Sequence, residues 1–92
     1  MKYTIKPTSQ FKRDLKLAKK RGLNREALET VIAALANGEQ LDPKYFDHEL
    51  SGNWEGYREC HIQPDWLLVY QIFEDILILS LTRTGSHSDL GF

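Results

Sequence analysis

The hydrophobic repeat of this chain changes its period once, and the change divides the fold into two parts. Phe11, Leu15 and Ala18 recur at i, i+4, i+7, and Leu28, Val31, Ile32 and Leu35 at i, i+3, i+4, i+7. Each set lies along one face of an α-helix. From Tyr57 to Arg83 the apolar residues alternate or run together, as they do in strands. Ninety-two residues suffice for one core. Residues 1–92 are therefore expected to form a single α+β domain, with helices before the main strands.

Local signals set the boundaries. Tyr3 to Lys6 reads as a short strand closed by Pro7. Thr8 or Ser9 can cap the first helix, and Gly22 can stop it in a left-handed conformation. Asn24 caps the second helix, Glu26 suits its dipole, and Asn37-Gly38 ends it. The short connection predicts an antiparallel helical hairpin. Residues 39–55, with Pro43 and Gly52, read as an irregular connection or a single helical turn. Strands follow at Tyr57–Gln63, Trp66–Phe73 and Ile76–Arg83, with turns at Pro64-Asp65, Glu74-Asp75 and Thr84-Gly85-Ser86. The unalternating run Ile76 to Leu79 suggests a strand covered on both faces. The order β-α-α-β-β-β predicts a twisted antiparallel sheet with an N-terminal helical hairpin packed on one face.

The formal net charge of −1 hides an uneven field. Lys2, Lys6, Lys12, Arg13, Lys16, Lys19, Lys20, Arg21 and Arg25 are nine of the twelve cations, and Asp14 is the one acid before residue 26. Lys12, Lys16, Lys19 and Lys20 form a stripe on the first helix that suits a polyanion, through contacts blind to base sequence. The plain alternative is a soluble helix with its lysines outward. The lone Cys60 forms no internal disulfide and fits a reducing compartment. No apolar stretch has the length of a signal or membrane segment, so a cytoplasmic protein with no membrane partner is expected.

All three histidines, His48, His61 and His87, fall in the second half of the chain, with Asp65, Trp66, Arg83 and Phe92 around them. Cleaving RNA without a metal requires a base for the 2′-hydroxyl, a cation for the charge building on phosphorus, and an acid for the departing 5′-oxygen. Imidazole serves either proton transfer near neutral pH, and the guanidinium fork matches phosphate oxygens. His87 follows Arg83 by four residues across Gly85, so acid and cation could meet at one phosphate. His61 shares a strand face with Tyr57 and Glu59 by parity. Each group also has an ordinary reading: a solvated His48 in a turn, a half-exposed His61, a backbone-bonding Asp65, a core Trp66, a solvated Arg83, and His87 near a free terminus. No zinc-ligand spacing, nucleophile elbow or glycine-rich phosphate loop is present.

Four ordered blocks carry a family likeness: Lys12-Arg13-Asp14-Leu15-Lys16-Leu17-Ala18; Asp47-His48-Glu49-Leu50-Ser51-Gly52-Asn53-Trp54-Glu55-Gly56-Tyr57-Arg58; His61-Ile62-Gln63-Pro64-Asp65-Trp66-Leu67-Leu68-Val69-Tyr70; and Arg83-Thr84-Gly85-Ser86-His87. With these, nearly the whole chain resembles the YafQ branch of the RelE/ParE toxin superfamily, from bacterial toxin–antitoxin systems. The resemblance implies a RelE-like fold and a ribosome-dependent mRNA endonuclease, an mRNA interferase that cuts the codon in the ribosomal A site and stops translation. It implies no metal and no cofactor. The implied partners are a cognate antitoxin that wraps and blocks the toxin, the 70S ribosome with its mRNA, and operator DNA only through the antitoxin complex. The implied catalytic group is His48, His61, Asp65, Arg83 and His87. His87 is the general acid, and the base is left open among His48, His61 and Asp65. Phe92 and Trp66 complete the implied site as substrate contacts, and the lysine stripe Lys12, Lys16, Lys19 and Lys20 is expected to contact ribosomal RNA. The tail reads Leu90-Gly91-Phe92, with its phenylalanine after the glycine rather than before it.

Two rival functions suit the same composition. A ParE-like gyrase inhibitor needs a binding tail and no histidines. A non-catalytic RNA- or ribosome-binding module would use the basic helix and arrest translation without new RNA ends.

Overall fold

The computed structural model describes all of residues 1–92. The elements follow in the order β1 (Thr4–Pro7), α1 (Ser9–Lys20), α2 (Arg25–Ala36), β2 (His48–Glu49), β3 (Arg58–Gln63), β4 (Trp66–Phe73), β5 (Ile78–Gly85) and α3 (His87–Leu90). Thr8 opens α1 by accepting from the Phe11 amide, and Asn24 opens α2 by accepting from the Ala27 amide. The linker runs from Arg21 to Asn24, longer than the spacing suggested, and turns at Gly22 with φ +74°. No helix is long and apolar enough to cross a membrane.

The five strands form one sheet in the order β1-β5-β4-β3-β2. β2 to β5 pair antiparallel, whereas β1 runs parallel to β5. The sheet is therefore mixed, not antiparallel throughout. No tight turn ties β1 to its neighbour β5; two helices and three strands intervene, and so long a connection permits parallel pairing.

α1 lies against β5 and α2 against β3. Their buried Phe11, Ala18, Leu28, Val31 and Leu35 share one core with Cys60, Ile62, Trp66, Leu68, Tyr70, Leu79 and Leu81. The opposite face of β4 is also covered: Leu67 and Val69 pack with Leu90 of α3, and Leu50, Trp54 and Tyr57 close over them. The strand buried on both faces is thus Trp66–Tyr70 of β4. The expectation placed this burial at Ile76–Leu79, but Ile76 and Leu77 are exposed in the β4–β5 turn, with Leu77 at φ +52°. β5 starts two residues later than expected and continues through Thr84 and Gly85, the expected turn. Residues 39–55 hold more order than predicted: 3-10 turns at Pro43–Tyr45 and Gly52–Trp54 flank the edge strand β2.

Two bonds join β4 to β5 inside the core. The indole of Trp66 donates to Thr84 Oγ1 at 2.7 Å, and the Thr84 hydroxyl donates to the Leu67 carbonyl at 2.7 Å. Two charge clasps tie α1 to the end of the sheet. Arg83 of β5 donates to both oxygens of Asp14 at 2.7 and 3.2 Å, and the Thr84 amide adds a third bond at 3.1 Å. Arg21, just past α1, grips Asp89 of α3 through both terminal nitrogens. Burial pushes the Asp14 carboxyl up, but its bonds from Arg83, Gln10 and the Thr84 amide outweigh this and leave it below the usual range. The bond from Arg21, then that from the Ser86 amide, holds Asp89 well below it.

Replacing Thr84 by Val leaves the buried indole N–H and the Leu67 carbonyl without this partner. Urea unfolding at pH 7 should show a loss of about 1–3 kcal/mol, with Thr84→Ser close to wild type. Equal stability of Thr84→Val and wild type would refute this account. The depressed carboxyls set a second expectation. Their stabilisation is present above the unfolded carboxylate value of about 3.9 and is lost as pH falls through the lower native values. The urea midpoint should hold from pH 7 to about 5 and fall below that. Asp89→Asn should begin lower at neutral pH and fall less on acidification. An Asp89→Asn acid limb as steep as wild type would show that the clasp is not the cause.

Candidate active site

The site is built on the sheet face away from α1 and α2. His61 and Glu59 stand opposite Leu67 and Val69 in the β3–β4 ladder, and His48 stands opposite Glu59 in the β2–β3 ladder. Glu59 is 5% exposed, and its Oε1 lies 3.3 Å from His61 Nε2 and 3.7 Å from His48 Nε2. A carboxylate so buried needs partners, and these two rings are the groups at ion-pair distance. The loop before β2 is fixed locally. Asp47 accepts from the Tyr70 hydroxyl at 2.7 Å, and His48 Nδ1 donates to the Phe46 carbonyl at 2.7 Å, which leaves Nε2 toward Glu59.

His87 arrives by a different route. β5 ends at Gly85, and Ser86 opens α3 with reciprocal bonds: its hydroxyl accepts from the Asp89 amide, and the Asp89 carboxylate accepts from the Ser86 amide. Leu90 anchors this turn on Leu67 and Val69. Asp65, in the β3–β4 turn, then reaches across. Its Oδ1 accepts from the His87 amide at 3.0 Å and lies 2.6 Å from His87 Nδ1. The bond from the His87 amide, then that from the ring, holds the Asp65 carboxyl below its usual range. With the proton on Nδ1 the ring donates to Asp65, and Nε2 has no protein partner. The His61 and His87 rings meet edge-on, their centroids 5.5 Å apart.

His61, Asp65 and His87 are therefore brought together, and His48 joins them through Glu59. Arg83 is placed differently from the expectation that it meets His87 directly. Its Nε and Nη2 are bonded to Asp14, with Nη1 left over, and those bonds favour the charged guanidinium. It lines a cleft with Arg21, Thr84, Gly85 and Asp89, so two guanidinium groups flank α3 on one side. Trp66 corrects the expectation of a substrate contact. It is 1% exposed and bonded to Thr84, so its ring belongs to the core and is closed to a base. Phe92 is 41% exposed and packs edge-on against Trp54, with ring centroids 5.6 Å apart. Lys12, Lys16, Lys19 and Lys20 are exposed along α1 and enter no ion pair, and the helix leads directly to Arg21.

Several participants escaped the sequence reading. Glu59 was seen to share a face with His61, but its bridge to His48 needs β2, two residues too short to read from pattern. Asp14, the one acid among nine early cations, was a signal of a specific partner. Ser86-x-x-Asp89 is a capping-box spacing that marks a helix start. Phe46, whose ring centroid lies 5.7 Å from that of His61, had no signal beyond its type. No three His, Cys, Asp or Glu side chains are grouped to hold a metal ion.

Comparison with known proteins adds a family to this geometry. Residues 3–91 match the family described as bacterial toxin of type II toxin-antitoxin system, YafQ. Over 87 residues the chain is 38% identical to the mRNA interferase toxin YafQ of Escherichia coli strain K12, covering 94% of this chain and 92% of that protein. A chain in the crystal structure of the E. coli DinJ-YafQ toxin-antitoxin complex superposes with a TM-score of 0.87 at 36% identity, covering 98% of both chains. The crystal structure of a metal-bound toxin from Helicobacter pylori superposes with a TM-score of 0.90 at 45% identity, covering 96% of this chain and 98% of that one. The sheet covered on both faces is thus that of a known toxin scaffold, and this chain belongs to the YafQ family of bacterial type II toxin–antitoxin toxins.

Proposed function

We propose that this chain is an mRNA interferase, a toxin that cleaves mRNA in the ribosomal A site and so inhibits translation. The observation that carries the proposal is the edge-on pair of His61 and His87, with Asp65 bound to the second ring. Two imidazoles at this separation can act on the two sides of one phosphate, each within hydrogen-bond reach of a reacting oxygen. The mRNA interferase name of the E. coli relative supports the same reading.

The proposed chemistry uses side chains alone. A base takes the proton of the 2′-hydroxyl, and that oxygen attacks phosphorus. The bond from phosphorus to the 5′-oxygen breaks, and His87 Nε2 delivers a proton to the leaving oxygen. The products are a 2′,3′-cyclic phosphate and a free 5′-hydroxyl. Asp65 is engaged with His87, so its part is to hold the acid in one tautomer and orientation. That leaves His61 as base, beside the acid, with His48 sharing its Glu59. Arg83 stabilises the charge on phosphorus through the nitrogen that Asp14 does not use, with Arg21 next to it in the cleft. The α1 lysines contact ribosomal RNA, and exposed Phe92 contacts the substrate. The metal of the H. pylori relative is a property of that protein; no step here passes through one. The partners are the ribosome with mRNA and a cognate antitoxin, as DinJ is for YafQ in the E. coli complex. Operator DNA is reached through that antitoxin, and the setting is the cytoplasm.

The test is cleavage of mRNA on programmed ribosomes, with RNA ends mapped after single turnover. His87→Gln should lose about 10²–10⁴ in rate while ribosome and antitoxin binding persist. Toxin stripped of transition metals by a chelator, then dialysed, should cut as fast as untreated protein. An unchanged rate for His87→Gln ends its assignment as the acid. Loss of activity on stripping, restored by added metal, ends the side-chain-only chemistry. Wild-type arrest without new RNA ends would leave a binding module, and inhibition of supercoiling without cleavage would point to gyrase.

A further inference from the structure

A cavity of about 630 Å³ opens beside His61, and the proposed reaction leaves it unused. Its walls include Lys44, Tyr45, Phe46, His61, Gln63 and Pro64. The volume falls in the range of small-ligand sites, roughly 300–1,000 Å³.

Three features mark this space as built for a ligand. Phe46 is 65% exposed and sits at φ +51°, in the left-handed region that bulky residues rarely enter. It closes the 3-10 turn Pro43–Tyr45, which presents its ring tilted toward His61 at 5.7 Å between centroids. Strain of this kind tends to gather at ligand clamps. Gln63 is half-buried at the end of β3, and no hydrogen bond in the chain engages its side-chain amide. A one-residue irregularity between His61 and Gln63 displaces it from the regular ladder. Lys44 is exposed, and its ammonium lies 5.2 Å from the Tyr45 ring centroid. β2 pairs only with Arg58 and Glu59, so the cavity runs along a part of β3 that no strand covers.

We propose that this cavity holds the base of the nucleotide flanking the scissile phosphate, and that Gln63 and Phe46 set the base preference of cleavage. The inference rests on the proposed function and adds its specificity. An exposed ring, a free amide and a lysine at the mouth are the groups by which proteins hold unstacked bases: stacking, hydrogen bonding to a base edge, and a contact to the adjoining phosphate. His61 is common to the cavity and the histidine pair, so a base seated here lies one nucleotide's reach from the reacting linkage.

The experiment maps RNA ends on ribosomes programmed with all codons, for wild type, Gln63→Leu, Phe46→Ala and Phe46→Trp. Melting temperature and antitoxin affinity are measured in parallel. Gln63→Leu should flatten discrimination at one codon position by about tenfold, through a slower rate at the preferred codons, while the disfavoured codons keep their wild-type rates. Phe46→Ala should lower kcat/KM by about tenfold or more, with melting temperature and antitoxin affinity unchanged, and Phe46→Trp should restore it. Wild-type cleavage with the same rates and codon pattern in every variant overturns the cavity and leaves the proposed function standing. Weakened antitoxin binding with an unchanged codon pattern also overturns it and assigns the surface to protein. A wild-type chain that makes no cuts overturns the proposed function, and this inference with it.

Discussion

β4 is buried on both of its faces from Trp66 to Tyr70, and the rest of the chain is arranged to satisfy that requirement. Alternate residues of a strand point to opposite sides, so one helical layer covers only half of this run. α1 and α2 supply that layer. The other half needs a second cover, and the chain makes it from α3 with Leu90 and from the Leu50–Tyr57 segment. Hydrophobic burial and site assembly are thus one event. The same Leu67 and Val69 that bury Leu90 lie opposite His61 and Glu59 in the ladder, so seating α3 brings His87 to His61.

The charge pattern follows the same division. α1 presents lysines outward, yet it meets β5 and α3 through Asp14 and Arg21. Asp14 occupies only part of the Arg83 fork, so that guanidinium is oriented by the fold and keeps a donor free. A bidentate clasp fixes a planar group far better than a single contact.

Much of this was legible in the sequence because long periodic signals survive without tertiary information. Both helices and the three central strands were read from apolar spacing, and the caps from residue type: Asn24 for the second helix, and Thr8 or Ser9 for the first, where Thr8 is the cap. The shared face of Glu59 and His61 followed from parity. The failures share a physical cause: they involve features one to four residues long. β1 is too short to reveal its direction, β2 too short to be read at all, and α3 is a single capped turn. The bulge between Val69 and Tyr70 of β4 and their β5 partners leaves Thr82 unpaired. Simple alternation from Leu79 and Leu81 would put Arg83, not Thr84, in the core. The extra residue reverses the phase, so Thr84 enters the core beside Trp66, and Arg83, across from Val69, reaches Asp14 of α1. The tryptophan was misjudged for another reason. Its indole N–H needs a partner when buried, and that partner, Thr84, is eighteen residues away on the next strand.

α3 spans four residues, fewer than an isolated helix needs to hold itself together. Its persistence depends on the Ser86 cap, one leucine, one arginine and the Asp65 carboxylate. The central strands, in contrast, cannot separate without exposing the whole interior. Local opening of that last turn is therefore a small excursion, uncoupled from global unfolding. It withdraws the His87 imidazole from His61 while every strand stays paired, so the histidine pair is held together by the least cooperative piece of the molecule.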